Sequence, residues 1–67
     1  MNMIEVQSSN VVAVGYENGT LAVEFASGST YEYANVPQQV YEALLAAPSK
    51  GRFLRESVYG KYGYRRV

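Results

Sequence analysis

Between Arg52 and Arg66 the chain interleaves cationic and aromatic side chains: Arg52, Phe53, Arg55, Tyr59, Lys61, Tyr62, Tyr64, Arg65 and Arg66. Guanidinium and ammonium groups hold phosphates, and a phenol ring offers a stacking platform for an unpaired base. Nucleic acid is therefore the first ligand class to weigh. The plainer reading is that Phe53, Tyr59 and Tyr62 are core or lid residues and the charges solvate them. Just upstream, Ser49-Lys50-Gly51 has some phosphate-binding character if it opens a helix. It is not a P-loop, because the upstream glycine and flanking strand are missing, and an N-cap followed by a closely packed glycine explains it as well.

Catalysis has little to work with. Histidine, cysteine and aspartate are all absent, and the six acids are glutamates. The commonest general base, proton shuttle and thiolate metal ligands are thus missing. Ser49 and Lys50 are neighbours, and side chains one residue apart on a helix do not meet as a Ser–Lys dyad requires. Glu24 and Glu32 can become neighbours across two strands and raise each other's pKa, but a shallow exposed face provides no pocket that desolvates a substrate. The expectation is a non-catalytic protein with no cofactor and no metal.

The positive residues lie at one end. Residues 1–49 carry five glutamates and no basic residue, for −5, while residues 50–67 carry six basic residues against Glu56, for +5. A basic terminal segment on an acidic body can attract phosphate, an acidic protein face or an acidic membrane; it can also fold back and neutralise the body through weak exposed pairs. A hydrophobic fraction of 48% with 18% charged residues argues against disorder, and 67 residues make one small domain, 1–67. No basic residue precedes the apolar positions of the N-terminus and no apolar run approaches a membrane span, so a cytoplasmic location with no membrane partner is expected.

These residues need a scaffold. Residues 1–9 read as a short lead-in, and β-rich runs Val11 to Tyr16 and Thr20 to Phe25 flank Asn18-Gly19, a strong signal for a type I′ hairpin. That turn pairs Tyr16 with Leu21, Val14 with Val23 and Val12 with Phe25 on one buried face, leaving Val11, Ala13, Gly15, Ala22 and Glu24 on a small outer face. A third strand, Thr30 to Ala34, follows a turn built round Ser27-Gly28-Ser29. An odd loop with glycine in the left-handed position opposes Phe25 with Tyr31, Val23 with Tyr33 and Glu24 with Glu32, sending both tyrosines to the core. An even loop instead puts Tyr31 and Tyr33 on the outer face, where they can stack. The odd loop is the expected one, because a small domain needs the buried aromatic area.

Helical spacing starts after Val36, with Pro37 at the first helical position. Val40 and Leu44 form one row beside Tyr41 and Leu45. Pro48 ends this helix and Ser49 caps another, whose Phe53, Leu54 and Val58 face inward. Gly60 closes it, and Lys61 to Val67 reads as either a short extended strand or an adhering tail. The fold class is α+β: a three-stranded antiparallel meander covered on one face by two short helices.

In order along the chain stand Ser8-Ser9, Gly15-Tyr16, Leu21-x-Val23-x-Phe25, Gly28, Tyr31-x-Tyr33, Val36-Pro37 and Ser49-x-Gly51-x-Phe53-Leu54. With these residues the sequence resembles the KTSC domain, named for a C-terminal extension of some lysyl-tRNA synthetases and also found alone in short bacterial or phage proteins. The resemblance implies an α+β fold and, through attachment to a tRNA-handling enzyme, RNA as a ligand. Members often carry asparagine where this chain has Arg55, so any role of that asparagine does not carry over.

The sequence thus points to RNA binding, with Lys50, Arg52, Arg55, Lys61, Arg65 and Arg66 holding backbone and one or more of Tyr31, Tyr33, Tyr62 and Tyr64 stacking on bases. The alternative is a module for an unidentified protein partner, using its oppositely charged halves or a sheet edge.

Overall fold

The computed structural model describes residues 1–67. Five strands, β1 (Met3–Glu5), β2 (Val11–Glu17), β3 (Thr20–Phe25), β4 (Thr30–Tyr33) and β5 (Tyr64–Arg66), form one sheet in the order β1-β2-β3-β4-β5. Every adjacent pair is antiparallel. Helices α1 (Gln38–Ala46) and α2 (Lys50–Ser57) lie between β4 and β5 in the chain. The α+β class is as expected, but the expected meander gains an outer strand at each edge. Of the two readings of Lys61 to Val67, the short extended strand is the one that forms, as β5, while β1 forms within the stretch read as a lead-in. The hydrogen bonds that make β1 and β5 strands come from distant partners: Met3 lies opposite Gly15, and Tyr64 opposite Tyr33.

The central hairpin turns on Asn18 (φ 51°) and Gly19 (φ 82°), both in the region a type I′ turn requires. Tyr16 faces Leu21 and Val14 faces Val23, as the turn dictates. Beyond Ala13 the expected register fails. A bulge at Val12 places Val11, not Val12, opposite Phe25. Val11 is then buried and Val12 is 40% exposed. The carbonyl of Val12 accepts a 3.0 Å hydrogen bond from the Val6 amide, so the lead-in of the chain claims the extra residue.

The β3–β4 loop has the expected parity, with Gly28 at φ 98°, but a tighter register. The Phe25 amide donates to the Ser29 carbonyl at 2.8 Å, so Val23 faces Tyr31 and Leu21 faces Tyr33. Both tyrosines therefore lie on the inner face. Glu24 faces Thr30 rather than Glu32, and the like-charge pair does not form. On the outer face Ala13 and Ala22 are buried. The first residues of the chain occupy that face: a Cβ added at Gly15 would stand 2.7 Å from Met3 Sδ and 2.8 Å from the Asn2 carbonyl oxygen.

The core joins Val11, Val14, Leu21, Val23 and Tyr33 from the sheet to Val36, Leu44, Leu54 and Val58. Pro37 is the N-cap of α1 and not its first helical residue, with ψ 147° still extended. Of the two predicted rows on α1, Leu44 is buried, Val40 and Tyr41 are half-buried, and Leu45 is exposed. Tyr41 stacks on Tyr16 with ring centroids 5.1 Å apart, and the Tyr16 hydroxyl donates to the Val36 carbonyl. Helix α2 starts as expected: Ser49 Oγ accepts from the Arg52 amide at 3.3 Å, and Leu54 and Val58 are fully buried. Helix α2 ends at Ser57 with Val58 as its C-cap, before the expected Gly60, which sits at φ 79° in the turn that follows. Bonds from Ala34 N to Gly63 O (2.8 Å) and from Val67 N to Thr30 O (2.9 Å) then hold β5 along β4.

Candidate nucleic-acid interface

The antiparallel meander brings the start of β2, the β3–β4 loop and the end of β5 to the same end of the sheet, beside α2. Two adjoining grooves form there. One, of about 600 Å³, is lined by Phe25, Tyr31, Tyr33, Tyr59 and Tyr64 together with loop serines and Gly60. Its rings touch in sequence. Phe25 meets Tyr31 edge-on at 5.8 Å, Tyr31 lies 5.7 Å from Tyr64, and Tyr33 lies 5.8 Å from Tyr64 and 6.2 Å from Tyr59. Such offset contacts suit the ring quadrupoles and hold each face in place.

The rings are not equally available. Tyr64 is 65% exposed and Tyr59 42%, while Tyr33 is buried at 4%. Tyr33 therefore forms the floor of the groove and cannot stack on a base, which corrects its place among the predicted stacking residues. Burial, aided by the neighbouring phenols of Tyr59, Tyr31 and Tyr64, pushes the Tyr33 hydroxyl up to about 12. Burial also raises Tyr59, with the Arg55 guanidinium pulling the other way. Tyr31 is half-buried, and Tyr62 packs against the core outside this groove.

The second groove, about 490 Å³, shares Phe25, Ser27 and Tyr59 with the first. It adds Ser8, Ser9, Asn10, Ser49 and Gly51, together with Arg52 and Arg55. None of the chain's six glutamates lines either groove.

The six basic residues do not act as one patch. Lys50 Nζ donates to the carbonyls of Leu45 (3.0 Å) and Ala47 (2.6 Å), closing the C-terminus of α1, so its predicted phosphate contact is replaced by a structural one. Arg52 pairs with Glu56 at 3.0 Å one turn along α2. Arg65 pairs with Glu32 at 3.1 Å across β4 and β5, on the sheet face away from the aromatic groove. These are exposed pairs worth roughly 0–1 kcal/mol each, yet each sets a carboxylate beside the guanidinium. Arg55, Lys61 and Arg66 have no ion-pair partner. Arg55 stands beside Tyr59, and Arg66 is opposite Tyr31 on the same sheet face. Lys61 is exposed in the turn after α2.

Tyr59, which the sequence leaves between stacking and core roles, lines both grooves, as does Phe25; to Phe25 and the two serine loops the sequence assigns no ligand contact. The available signal was the hairpin register: once Asn18-Gly19 sets it, Ser8-Ser9-Asn10 and Ser27-Gly28-Ser29 must fall at the same sheet end.

Three comparisons place the chain among known proteins. The model of the family described as KTSC domain matches residues 7–62. A lysine–tRNA ligase of Trichormus variabilis is 39% identical over 67 residues, covering 97% of this chain. The chain spans only 12% of that ligase's length. A protein of Tsukamurella paurometabola is 42% identical over 62 residues, covering 90% of this chain and 92% of the relative. The crystal structure of a KTSC domain protein from Yersinia pestis superposes with a TM-score of 0.95 at 32% identity, covering 98% of this chain and 96% of the other. With the family model matching most of its length and a crystallographic relative sharing its whole fold, the chain belongs to the KTSC domain family.

Proposed function

We propose that this KTSC domain is a non-catalytic module that binds single-stranded RNA in the cytoplasm through the aromatic groove. The observation that carries the reading is the row of ring faces at Tyr31, Tyr59 and Tyr64, flanked by the unpaired Arg55 and Arg66 and free of carboxylates. Exposed rings stack on unpaired bases whatever the sequence, and the arginines supply charge for the backbone. Relatives that are lysine–tRNA ligases, enzymes whose substrate is an RNA, lend support from outside the chain. Base stacking is worth about 1–3 kcal/mol per base, so Tyr64→Ala should weaken binding of a short single-stranded RNA by roughly 5- to 150-fold. Fluorescence anisotropy with a labelled RNA measures it; unchanged affinity in a folded Tyr64→Ala protein would refute the assignment.

A protein partner is the second reading, and one observation favours it. The edge strand β1 is exposed at Met3 (37%) and Ile4 (49%), and the bulged Val12 of the neighbouring β2 is 40% exposed. An added strand pairs with such an edge. Co-purification of a protein that survives nuclease treatment would support this reading over RNA.

A further inference from the structure

We infer that the serine-lined groove is a phosphate subsite, and that with the aromatic groove it forms a binding site for one nucleotide unit, anchored by Arg55. The inference deepens the RNA reading by naming which phosphate contact is made and where.

Four observations carry it. First, the two grooves meet along Phe25, Ser27 and Tyr59, so one ligand can occupy both with a flat ring on one side and a charged group on the other. Second, the groove's polar lining is rich in donors. Besides Arg55 it contains Ser8, Ser9, Asn10, Ser27 and Ser49, and no carboxylate. A phosphate accepts hydrogen bonds and rejects carboxylates; a cation would require the opposite lining.

Third, Arg55 is available while its neighbour is not: Arg52 is held by Glu56 at 3.0 Å, whereas Arg55 has no acidic partner. Fourth, the walls are fixed without a ligand. The Ala26 amide donates to the Asn10 carbonyl at 2.8 Å, tying the end of β3 to the loop before β2. Ser8 Oγ accepts from the amides of Asn10 and Val11 at 3.3 Å, leaving its own proton to donate outward. Ser49 Oγ accepts from the Arg52 amide and keeps a donor in the same way. Donors already held in place lose little freedom on binding.

The chemistry common to a free mononucleotide and a nucleotide within RNA is an aromatic base joined to a phosphate, and the test separates the two. Isotope-labelled protein is titrated in parallel with adenosine, AMP, inorganic phosphate and a six-nucleotide single-stranded RNA, following amide chemical shifts. AMP should shift amides at Ser8–Asn10, Ser27 and Arg55–Tyr59 and bind about tenfold tighter than adenosine, as a charge-assisted contact implies. Inorganic phosphate should shift the serine-groove amides and leave Tyr31 and Tyr64 unmoved. Arg55→Ala should abolish the difference between AMP and adenosine, and Arg55→Lys should restore part of it. Arg55 is exposed, and the spectrum of each variant itself reports whether it folds.

Equal affinities for AMP and adenosine would overturn the inference, as would AMP shifts centred on Lys61 or Arg65. If the six-nucleotide RNA binds and needs Tyr64 but ignores Arg55→Ala, the subsite fails while the RNA reading stands. If AMP behaves as expected but the RNA binds no tighter than AMP, the subsite stands and the RNA reading fails.

Discussion

Salt dependence distinguishes the charge distribution of the folded protein from that of its sequence. Each phosphate neutralised on a single strand steepens the log–log dependence of affinity on salt by roughly 0.7. If all six basic residues after position 49 held phosphates, the slope would be about 4. The fold removes three of them. Lys50 is spent on the α1 carbonyls, and Arg52 and Arg65 each sit against a glutamate that would repel the same phosphate. Arg55, Lys61 and Arg66 remain, so the slope should not exceed about 2. Raising salt sixfold should then weaken binding by at most roughly 40-fold, where the six-cation count predicts about a thousandfold. Anisotropy titrations of a labelled single-stranded RNA at four or five salt concentrations give the slope directly. A value near 4 would show that the bound protein releases its ion pairs and that the three-cation reasoning is wrong. A flat response would remove phosphate contacts altogether.

Other predictions concern the scaffold and its buried phenol. Gly15→Ala should destabilise the fold by about 1–3 kcal/mol in urea denaturation, because the new methyl group collides with Met3 Sδ and the Asn2 carbonyl. Gly51→Ala should be neutral or stabilising by up to about 1 kcal/mol: its Cβ meets only Asn10 Nδ2 at 3.4 Å, and alanine favours the helix. Tyr33 should give an alkaline instability. Its hydroxyl is pushed up to about 12 in the fold against 10.0 for an unperturbed phenol, so above pH 10 the unfolded chain binds fewer protons than the native one. Stability should therefore hold below pH 10 and fall as pH rises through about 12, and Tyr33→Phe should remove that part of the loss. Thermal denaturation across this range, for both proteins, measures it; identical profiles would show that Tyr33 ionises as freely in the fold as outside it.

Local signals decided the parts of the fold that were legible. Asn18-Gly19 dictates a turn with two positive φ angles, so the register at Tyr16 and Val14 follows from arithmetic. Ser49 and the Phe53-Leu54-Val58 spacing likewise determine the start and inward face of α2. The bulge was illegible because Val11 and Val12 are equally suited to either sheet face. What separates them is the hydrogen bond from Val6 to the Val12 carbonyl, a tertiary event. Whether residues 61–67 form a strand or a tail, and whether the lead-in pairs at all, depends on distant partners, Tyr33 for Tyr64 and Gly15 for Met3. The distribution of the cations was illegible for a similar reason. Six cations close in sequence look like one patch, but a helix and an antiparallel strand direct them differently. Arg65 and Arg66, adjacent in the chain, lie on opposite sheet faces, and only Arg66 shares a face with Tyr31. Tyr31 and Tyr33 share a face, yet one is half-exposed and the other is floor, since Tyr33 alone lies deep against Tyr59 and the core.

RNA should occupy the end of the sheet where Phe25, Tyr31, Tyr59 and Tyr64 meet the serine loops. Amide-resolved titration of the wild-type protein with a short single-stranded RNA tests it most directly. Saturable shifts confined to residues 8–10, 25–31, 55–60 and 64–66 are the predicted result; shifts gathered on β1 and α1, or none at millimolar RNA, would contradict it.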